Sequence, residues 1–254
     1  MKYNIRNLIF TCLAVIAISS CGDVANLDNT IGQAQGAKVK FFHAASGGSP
    51  LTVTTNGLKW TSVLSTAKYT DSINYGSTYP ATDYTVLPAG STKFTAKLPP
   101  SVLGKDTVVS ELTTNLEDNK YYLLLAADTF PSPKLYMVPD IRDDKRNSNK
   151  TYFRFSNFLV KAPTTGYDVI LARQPNQPIA NIKYGDTSPY VEFEPTGATV
   201  DTVFLRTPGS TVNTYTFALG SSKFAANRSV VFILRGVVGG TGTKLPSFSF
   251  VITN

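Results

Sequence analysis

The feature that most constrains this 254-residue chain is that its sequence repeats itself once. Three short segments of the first half return in the second half in the same order, displaced by 114, 109 and 108 residues. Because these displacements differ only by small loop changes, the sequence predicts one fold written twice. The matched pairs are residues 40–43 (KFFH) with 154–157 (RFSN), 73–78 (INYGST) with 182–187 (IKYGDT), and 116–120 (LEDNK) with 224–228 (FAANR).

Within each copy, short runs rich in β-branched and aromatic residues are separated by turn signals, which is the pattern of an all-β sandwich. The composition agrees, because the chain has 13 Tyr, 15 Phe, 18 Gly and 15 Pro but only 16% charged residues. Disordered chains and coiled coils carry more charge and fewer aromatics, so both are excluded. Strands are predicted at 39–43, 83–87, 93–98, 121–126 and 134–138, and in the second copy at 152–156, 190–193, 202–205, 229–234 and 247–252.

A polar run at residues 140–150 (DIRDDKRNSNK) separates the two copies, since it holds one apolar residue in eleven. We therefore predict two domains, residues 37–139 and residues 151–254, joined by a linker at 140–150. The predicted fold class is all-β, with two tandem antiparallel β-sandwich domains.

The order of landmarks in each copy resembles that of a known family. An aromatic strand ending in His43 or Asn157 precedes a Tyr-Gly turn, a Pro-x-Gly turn at 88–90 or 195–197, and an Asn-Lys or Asn-Arg turn into an apolar strand. This order is similar to that of the domain-of-unknown-function 4397 family, over about residues 37–254. The resemblance implies immunoglobulin-like β-sandwich modules, often in tandem, in secreted or lipid-anchored bacterial proteins. It implies an architecture and a location, and no activity.

The N-terminal segment is typical of a secretion signal. Lys2 and Arg6 make the N-terminal part of the leader positively charged. The apolar stretch that follows, at 8–18, is too short to span a bilayer as a stable anchor. The sequence Ile-Ser-Ser-Cys that ends at Cys21 resembles the lipobox of bacterial lipoproteins, in which the cysteine thiol accepts a diacylglyceryl group and becomes the first mature residue. We therefore predict a lipoprotein signal peptide at residues 1–20, followed by a flexible tether at 21–36 that starts from the lipidated Cys21.

Cleavage at this site would remove Cys12 and leave the acylated Cys21, so the mature protein is expected to have no disulfide. The lipid anchor makes a membrane the first predicted partner. We expect a cell-envelope location, on the outer membrane of a Gram-negative bacterium.

The charge of the chain does not indicate a nucleic-acid partner. The net charge of +7 falls to +5 once Lys2 and Arg6 leave with the leader. The other Lys and Arg residues are spread through both copies and form no stripe interleaved with aromatics. We predict a solvated basic surface and no nucleic-acid binding.

His43 is the only histidine, so histidine-dependent catalysis or a histidine zinc site would depend on it alone. Because the second copy has Asn157 at this position, we predict a structural hydrogen bond at a strand end for His43. Asp140, Asp143 and Asp144 lack the spacing of a calcium loop, which favours a solvated linker. The sequence thus predicts no catalytic residue, no cofactor and no metal, and the chain is not expected to be an enzyme.

Three other features have competing interpretations. Glu192 and Glu194 lie two residues apart, which favours an exposed strand face over a glycosidase pair. The glycine-rich residues 236–244 join two predicted strands, which favours a flexible hairpin loop over a phosphate loop. Trp60, the single tryptophan, fits either a core anchor or an exposed platform for carbohydrate.

Short sequences beginning at Asp71, Asp106 and Asp201 (DSI, DTV and DTV) resemble an O-glycosylation signal of some Gram-negative envelope proteins. They also suit an ordinary strand start. Both interpretations stay open on the sequence.

Fold and location together favour a non-catalytic surface binding or adhesion module, whose loops contact a glycan, a peptide or an envelope protein. The alternative is a structural or assembly subunit, in which two modules act as a spacer within an envelope complex. A cleft lined by Trp60 and several tyrosines would favour the first hypothesis. An exposed edge strand suited to pairing with another chain would favour the second. No ligand-binding residue is identified by the sequence.

Overall fold

The computed structural model describes residues 35–61, 63–64, 69–70, 72–140, 149–194, 200–220 and 225–253. Gly36–Asn254 forms one compact unit that contains both sequence repeats. The predicted signal peptide, Cys21 and, from the predicted linker, Asp143 and Asp144 lie outside the described residues, so the statements about them and the domain bounds stay predictions. In the described part of the chain, no helix is long and apolar enough to cross a membrane.

Strands dominate the first repeat, because its β-branched and aromatic runs are cut by glycine and proline turns. Its elements are β1 (Ala37–His43), β2 (Thr52–Thr55), β3 (Leu58–Lys59), β4 (Val63–Leu64), β5 (Tyr69–Thr70), β6 (Thr78–Tyr79), β7 (Thr85–Leu87), β8 (Gly90–Leu98), α1 (Pro100–Leu103), β9 (Thr107–Leu116), β10 (Tyr121–Ala127) and β11 (Lys134–Pro139).

The second repeat follows the same plan, with longer strands β12 and β18 and shorter strands β16 and β17 than their equivalents in the first repeat. Its elements are β12 (Thr151–Val160), β13 (Tyr167–Leu171), β14 (Ile179–Ile182), β15 (Val191–Phe193), β16 (Val200–Arg206), β17 (Tyr215–Gly220), β18 (Arg228–Val237), a 3₁₀ turn (Gly242–Lys244) and β19 (Ser247–Ile252).

All ten strands predicted from the sequence are present, and the all-β class is confirmed. The prediction missed six strands of the second sheets, β2, β3, β9, β13, β14 and β17, and the two-residue strands β4, β5 and β6. In β9 the reason is visible, because its Thr, Ser, Glu and Asn side chains are largely half-buried or exposed and show little apolar alternation.

Each repeat contains a pair of sheets. In the first repeat a mixed sheet has the order β11-β10-β1-β6, with β7 also paired to β1, and an antiparallel sheet has the order β3-β2-β8-β9. In the second repeat the mixed sheet has the order β15-β12-β18-β19, and the antiparallel sheet has the order β14-β13-β16-β17. The architecture is consistent with a β-sandwich.

Each mixed sheet contains one parallel pair of strands. β1 runs parallel to β10, and β12 runs parallel to β18. These four strands are buried along nearly their whole length on both faces, which is the usual environment of parallel pairs. The sequence prediction of antiparallel sandwiches did not include these pairs.

The sequence repeat is also a repeat of strand register. Phe41 lies opposite Leu124 in the first repeat. Phe155, displaced by 114 residues from Phe41, lies opposite Phe232, displaced by 108 residues from Leu124. The pairing of the strand after each Tyr-Gly turn repeats in the same way.

Each repeat has its own apolar core between its sheets. Trp60 lies in the first of these cores, 7% exposed, with its ring centre 6.3 Å from that of Phe41 and 5.6 Å from that of Phe94. Trp60 is therefore a core anchor, and the interpretation as an exposed carbohydrate platform is wrong.

Candidate functional site

The outer faces of the two mixed sheets pack against each other in a third apolar cluster. Leu123 and Leu125 of β10 meet Val231 and Ile233 of β18 in this cluster, and none of the four is more than 2% exposed. By the displacement of 108 residues, Val231 is equivalent to Leu123 and Ile233 to Leu125. The repeats therefore meet through the same face of each, as subunits do in an isologous dimer.

Two buried cations cross this interface reciprocally. Lys40 of β1 is 1% exposed, and its Nζ donates hydrogen bonds to the carbonyl oxygens of Thr82 and, at 2.9 Å, of Ile252. Arg154 of β12, displaced by 114 residues, donates through Nη1 to the carbonyl oxygen of Pro139 at 2.9 Å. Pro139 and Ile252 hold equivalent register positions in β11 and β19. In each repeat, a buried cation therefore hydrogen-bonds to the end of the equivalent strand of the other repeat, β19 or β11.

Asp140 lies at the centre of a buried polar group beside these cations. Its carboxylate accepts hydrogen bonds from the hydroxyls of Tyr84 at 2.8 Å and Tyr190 at 2.5 Å, and Arg154 Nη1 lies 3.7 Å away. Burial, and next the Asp140 charge, raises the pKa of Tyr190. Asp140 is 3% exposed, so its prediction as part of a solvated linker is wrong. Asp140 can be buried because Tyr84 and Tyr190 donate hydrogen bonds to its carboxylate, and the local sequence does not reveal these contacts.

His43 holds the strand end that precedes the first Tyr-Gly turn. Its Nε2 donates to the Ser49 carbonyl oxygen at 2.8 Å, and its Nδ1 accepts from the Ala45 amide at 3.3 Å. In the second repeat, Asn157 Oδ1 accepts the equivalent bond from the Leu159 amide at 3.0 Å. Burial lowers the pKa of His43 to about 4. The predicted structural hydrogen bond of His43 is therefore confirmed.

The two Tyr-Gly turns have like surroundings. Gly76 donates its amide to the His43 carbonyl oxygen at 2.8 Å, and Gly185 donates to the Asn157 carbonyl oxygen at 2.7 Å. Both glycines have a positive φ, 80° and 86°, which L-residues with a side chain rarely adopt. The requirement for this backbone conformation explains why glycine occurs at both positions.

Arg235 of β18 holds the first of these turns against the second repeat. Its guanidinium carbon lies 4.1 Å from the ring centre of Tyr75, and its Nε donates to Ser249 Oγ of β19 at 2.6 Å. A side chain on Gly76 would place its Cβ 3.4 Å from Arg235 Nη2. The cation–π contact and the close backbone therefore fix the turn on the second repeat.

A groove of about 480 Å³ opens beside this turn, within the size range of small-ligand sites. The first repeat supplies one wall, from residues 72–74, residues 76–78 and Ala81. The second repeat supplies Phe250 of β19, whose side chain is 41% exposed. The polar side chains of the groove belong to Ser72, Asn74, Ser77 and Thr78.

Two side chains that are not among the lining residues, Lys40 and Arg235, connect the two walls of this inter-repeat groove. Lys40 joins the segment that follows Ala81 to the end of β19, through the two carbonyl oxygens it binds. Arg235 joins Tyr75 to the middle of β19. Both ties are made within the protein, so the spacing of the walls is set before any ligand enters.

The other candidate residues lie apart from the groove. Glu192 and Glu194 are 53% and 71% exposed, and both carboxylates contact Lys150 Nζ, so the exposed strand-face interpretation is confirmed. Gly236 still belongs to β18, and residues 238–246 connect β18 to β19 with a 3₁₀ turn at Gly242–Lys244, so the loop joins two strands as predicted but begins two residues later. Among the described residues, no three His, Cys, Asp or Glu side chains are grouped to hold a metal ion.

The short Asp-Thr-Val sequences differ in their surroundings. Asp106 is exposed just before β9, and Val108 is 52% exposed. Asp201 lies within β16, is 3% exposed and has its carboxylate 3.2 Å from Arg173 Nε. Asp71 lies outside the described residues. Of the two described sequences, the one at Asp106 is therefore the more accessible.

The sequence analysis did not identify Lys40, Arg154, Arg235 or Phe250. One signal was available for the first two. A cation occupies the same position of the repeated segments KFFH and RFSN, each time directly before a phenylalanine, which indicates a shared role. Arg235 and Phe250 have no counterpart of their type in the first repeat, where Ala127 and Met137 hold the equivalent positions.

Two solved structures share a remote likeness with the chain. The Bacillus anthracis TIE protein has 10% identity and a TM-score of 0.21 over 78% of this chain, which spans 33% of that protein. A candidate cell adhesion protein from Bacteroides fragilis has 10% identity and a TM-score of 0.20, with 86% of this chain and 98% of the other covered. Scores this low establish no common fold and carry no functional argument. No curated protein matches the sequence.

The family comparison gives a definite result. The family described as Domain of unknown function (DUF4397) matches residues 37–166, which is slightly more than half of the chain. The match begins at β1, includes the whole first repeat and extends through β12, whereas the resemblance was expected over residues 37–254. The residues beyond it repeat the strand register of the matched part. The chain therefore belongs to the DUF4397 family.

Proposed function

We propose that this chain is a lipid-anchored cell-envelope protein whose two repeats form one rigid, non-catalytic binding or adhesion module. The observation that carries the proposal is the inter-repeat groove, whose walls Lys40 and Arg235 tie together. A concave site with fixed walls loses little conformational entropy when a ligand binds, which favours affinity.

The proposed location is supported by the leader and its lipobox-like sequence before Cys21. Two or more acyl chains on one cysteine are enough for durable membrane attachment. A flexible tether of about 15 residues would then hold the module on the order of 20 Å from the membrane.

The binding part of the proposal is tested with the chain from Gly22 onward on arrays of glycans and envelope peptides. We expect saturable binding that Lys40→Met weakens, because the groove walls lose a tie. Lys105→Met, at an exposed position before β9, is the matched control and should bind like the natural chain. Equal binding by Lys40→Met, or no binding to any array, would contradict the proposal.

The anchoring part is tested by labelling with palmitate and separating membranes. Cys21→Ala should lose the label and leave the membrane fraction. Cys12→Ala is the control, because it changes the other cysteine of the leader and should keep both properties. Retention of label and membrane attachment by Cys21→Ala would refute the anchor.

A structural or assembly role in an envelope complex is the second candidate. β9 ends the order of its sheet among the described strands, and its Val108 is 52% exposed. An edge strand can pair with a strand of another protein, and a lysine on such an edge blocks the pairing. Silent arrays together with an envelope protein that copurifies with the natural chain, but not with Val108→Lys, would favour this role.

A further inference from the structure

We propose that the inter-repeat groove binds a neutral glycan, an inference that rests on the proposed binding function and names its ligand class. None of the described residues that line the groove carries a formal charge. A charged ligand would lose hydration there without gaining an opposite charge from the lining. A neutral ligand that hydrogen-bonds through hydroxyls meets no such penalty.

The polar wall has the groups that hydroxyl-rich ligands need. Ser72, Ser77 and Thr78 each offer a hydroxyl that can donate and accept, and the amide of Asn74 offers two donors and an acceptor. Sugar hydroxyls also donate and accept, so they can replace the water that hydrates this wall.

The opposite wall supplies an apolar surface. Phe250 is 41% exposed, and because its neighbours Ser249 and Val251 lie on the opposite, buried face of β19, its ring faces the groove. The C–H face of a pyranose is apolar and flat, so it can cover such a ring while its hydroxyls point to the polar wall. A ligand with one apolar face and polar edges therefore matches both walls.

An extended peptide is the competing ligand class, because a peptide can bind as an added strand along a free edge. β6 offers only Thr78–Tyr79, whereas β19 ends the order of its sheet among the described strands. The uncharged polar side chains and the exposed ring favour the glycan, and the peptide outcome of the test below distinguishes the two. Two cations connect the walls and have partners within the protein, Lys40 with two carbonyl oxygens and Arg235 with Tyr75 and Ser249.

The test is calorimetric titration of the chain from Gly22 onward with neutral gluco-, manno- and galacto-oligosaccharides, and with sulfated or carboxylated forms of each. We expect at least one neutral oligosaccharide to bind and Phe250→Ala to weaken it about tenfold, since a stacked ring contributes roughly the energy of a factor of ten. Phe250→Tyr keeps the ring and should keep the affinity. Asn74→Ala should weaken binding, and Leu58→Ala, at an apolar position 74% exposed outside the groove, should not.

Thermal unfolding of each variant checks that it is folded; if Phe250→Ala is not, Asn74→Ala and Phe250→Leu decide. Preference for charged oligosaccharides, or neutral binding unchanged in both groove variants, would overturn the inference. Binding of a peptide that Phe250→Ala abolishes would leave the proposed binding function intact and refute the glycan. If no glycan and no peptide binds, both the glycan inference and the proposed binding function are refuted.

Discussion

Replacement of Asp140 by alanine tests whether the buried polar group between the repeats stabilises them as one unit. The change removes the carboxylate that accepts from Tyr84 and Tyr190 and faces Arg154. The Arg154 guanidinium stays buried and the two hydroxyls stay partly buried in the interface, because the apolar cluster beside them is unchanged. They lose an acceptor that water cannot readily replace.

The expected loss follows from these contacts. A hydrogen bond to a charged group contributes about 1.5–3 kcal/mol, and removal of one partner of a buried charged pair costs about 3–5 kcal/mol. Arg154 keeps its bond to the Pro139 carbonyl, so the terms do not simply add. We expect Asp140→Ala to lower the free energy of unfolding by about 3–5 kcal/mol, and Tm by roughly 10 °C.

Urea unfolding followed by two probes measures this loss. Trp60 lies in the first core, so its fluorescence follows that repeat, whereas far-UV circular dichroism follows both. The probes should coincide for the natural chain and separate for Asp140→Ala. Asp106→Ala, at an exposed position, should stay within about 0.5 kcal/mol. A loss below about 1 kcal/mol for Asp140→Ala, with coincident probes, would refute the reasoning.

Three further predictions concern pH, backbone and assembly. Burial lowers the pKa of His43 from 6.5 to about 4, so the unfolded chain binds a proton that the folded chain excludes; stability should fall by about 3 kcal/mol as pH drops from 6.5 to 4. His43→Asn should flatten this slope in urea titrations, and an equally steep slope would contradict the assignment. Gly236→Ala should lower Tm more than Gly90→Ala, since both have a positive φ but a Cβ on Gly236 meets the Leu245 carbonyl oxygen at 2.6 Å. Cleavage at a protease site inserted between residues 140 and 149 should leave the two halves together in gel filtration; separate elution would show that the third cluster does not hold them.

The sequence was sufficient for the features that depend on local pattern. The apolar and aromatic runs predicted the central strands, and the displaced landmarks predicted the equivalence of His43 and Asn157, which the structure shows in their hydrogen bonds. A Tyr-Gly turn was predictable because glycine supplies the positive φ at both Gly76 and Gly185.

The interface between the repeats was not predictable, because it depends on contacts between distant segments. A run such as AKVKFFH does not say which of its two faces meets another sheet, and both are buried. Asp140 begins a polar run, and its burial depends on distant residues such as Tyr84 and Tyr190, 56 and 50 residues away. The groove was missed for the same reason, since Phe250 joins it from the last strand.

The reciprocal packing has a consequence for how many ligands one molecule can hold. In a dimer of identical subunits, one substitution changes both equivalent sites at once. In two repeats of one chain, a substitution changes only one of the two equivalent sites. Here Phe250 stands in the groove at one end, while its counterpart Met137 packs against the first core. The groove at Phe250 can therefore acquire a ligand preference without any change to the packing of the first core at Met137. Strong attachment to a ligand-bearing surface would then require many such molecules acting together, through avidity.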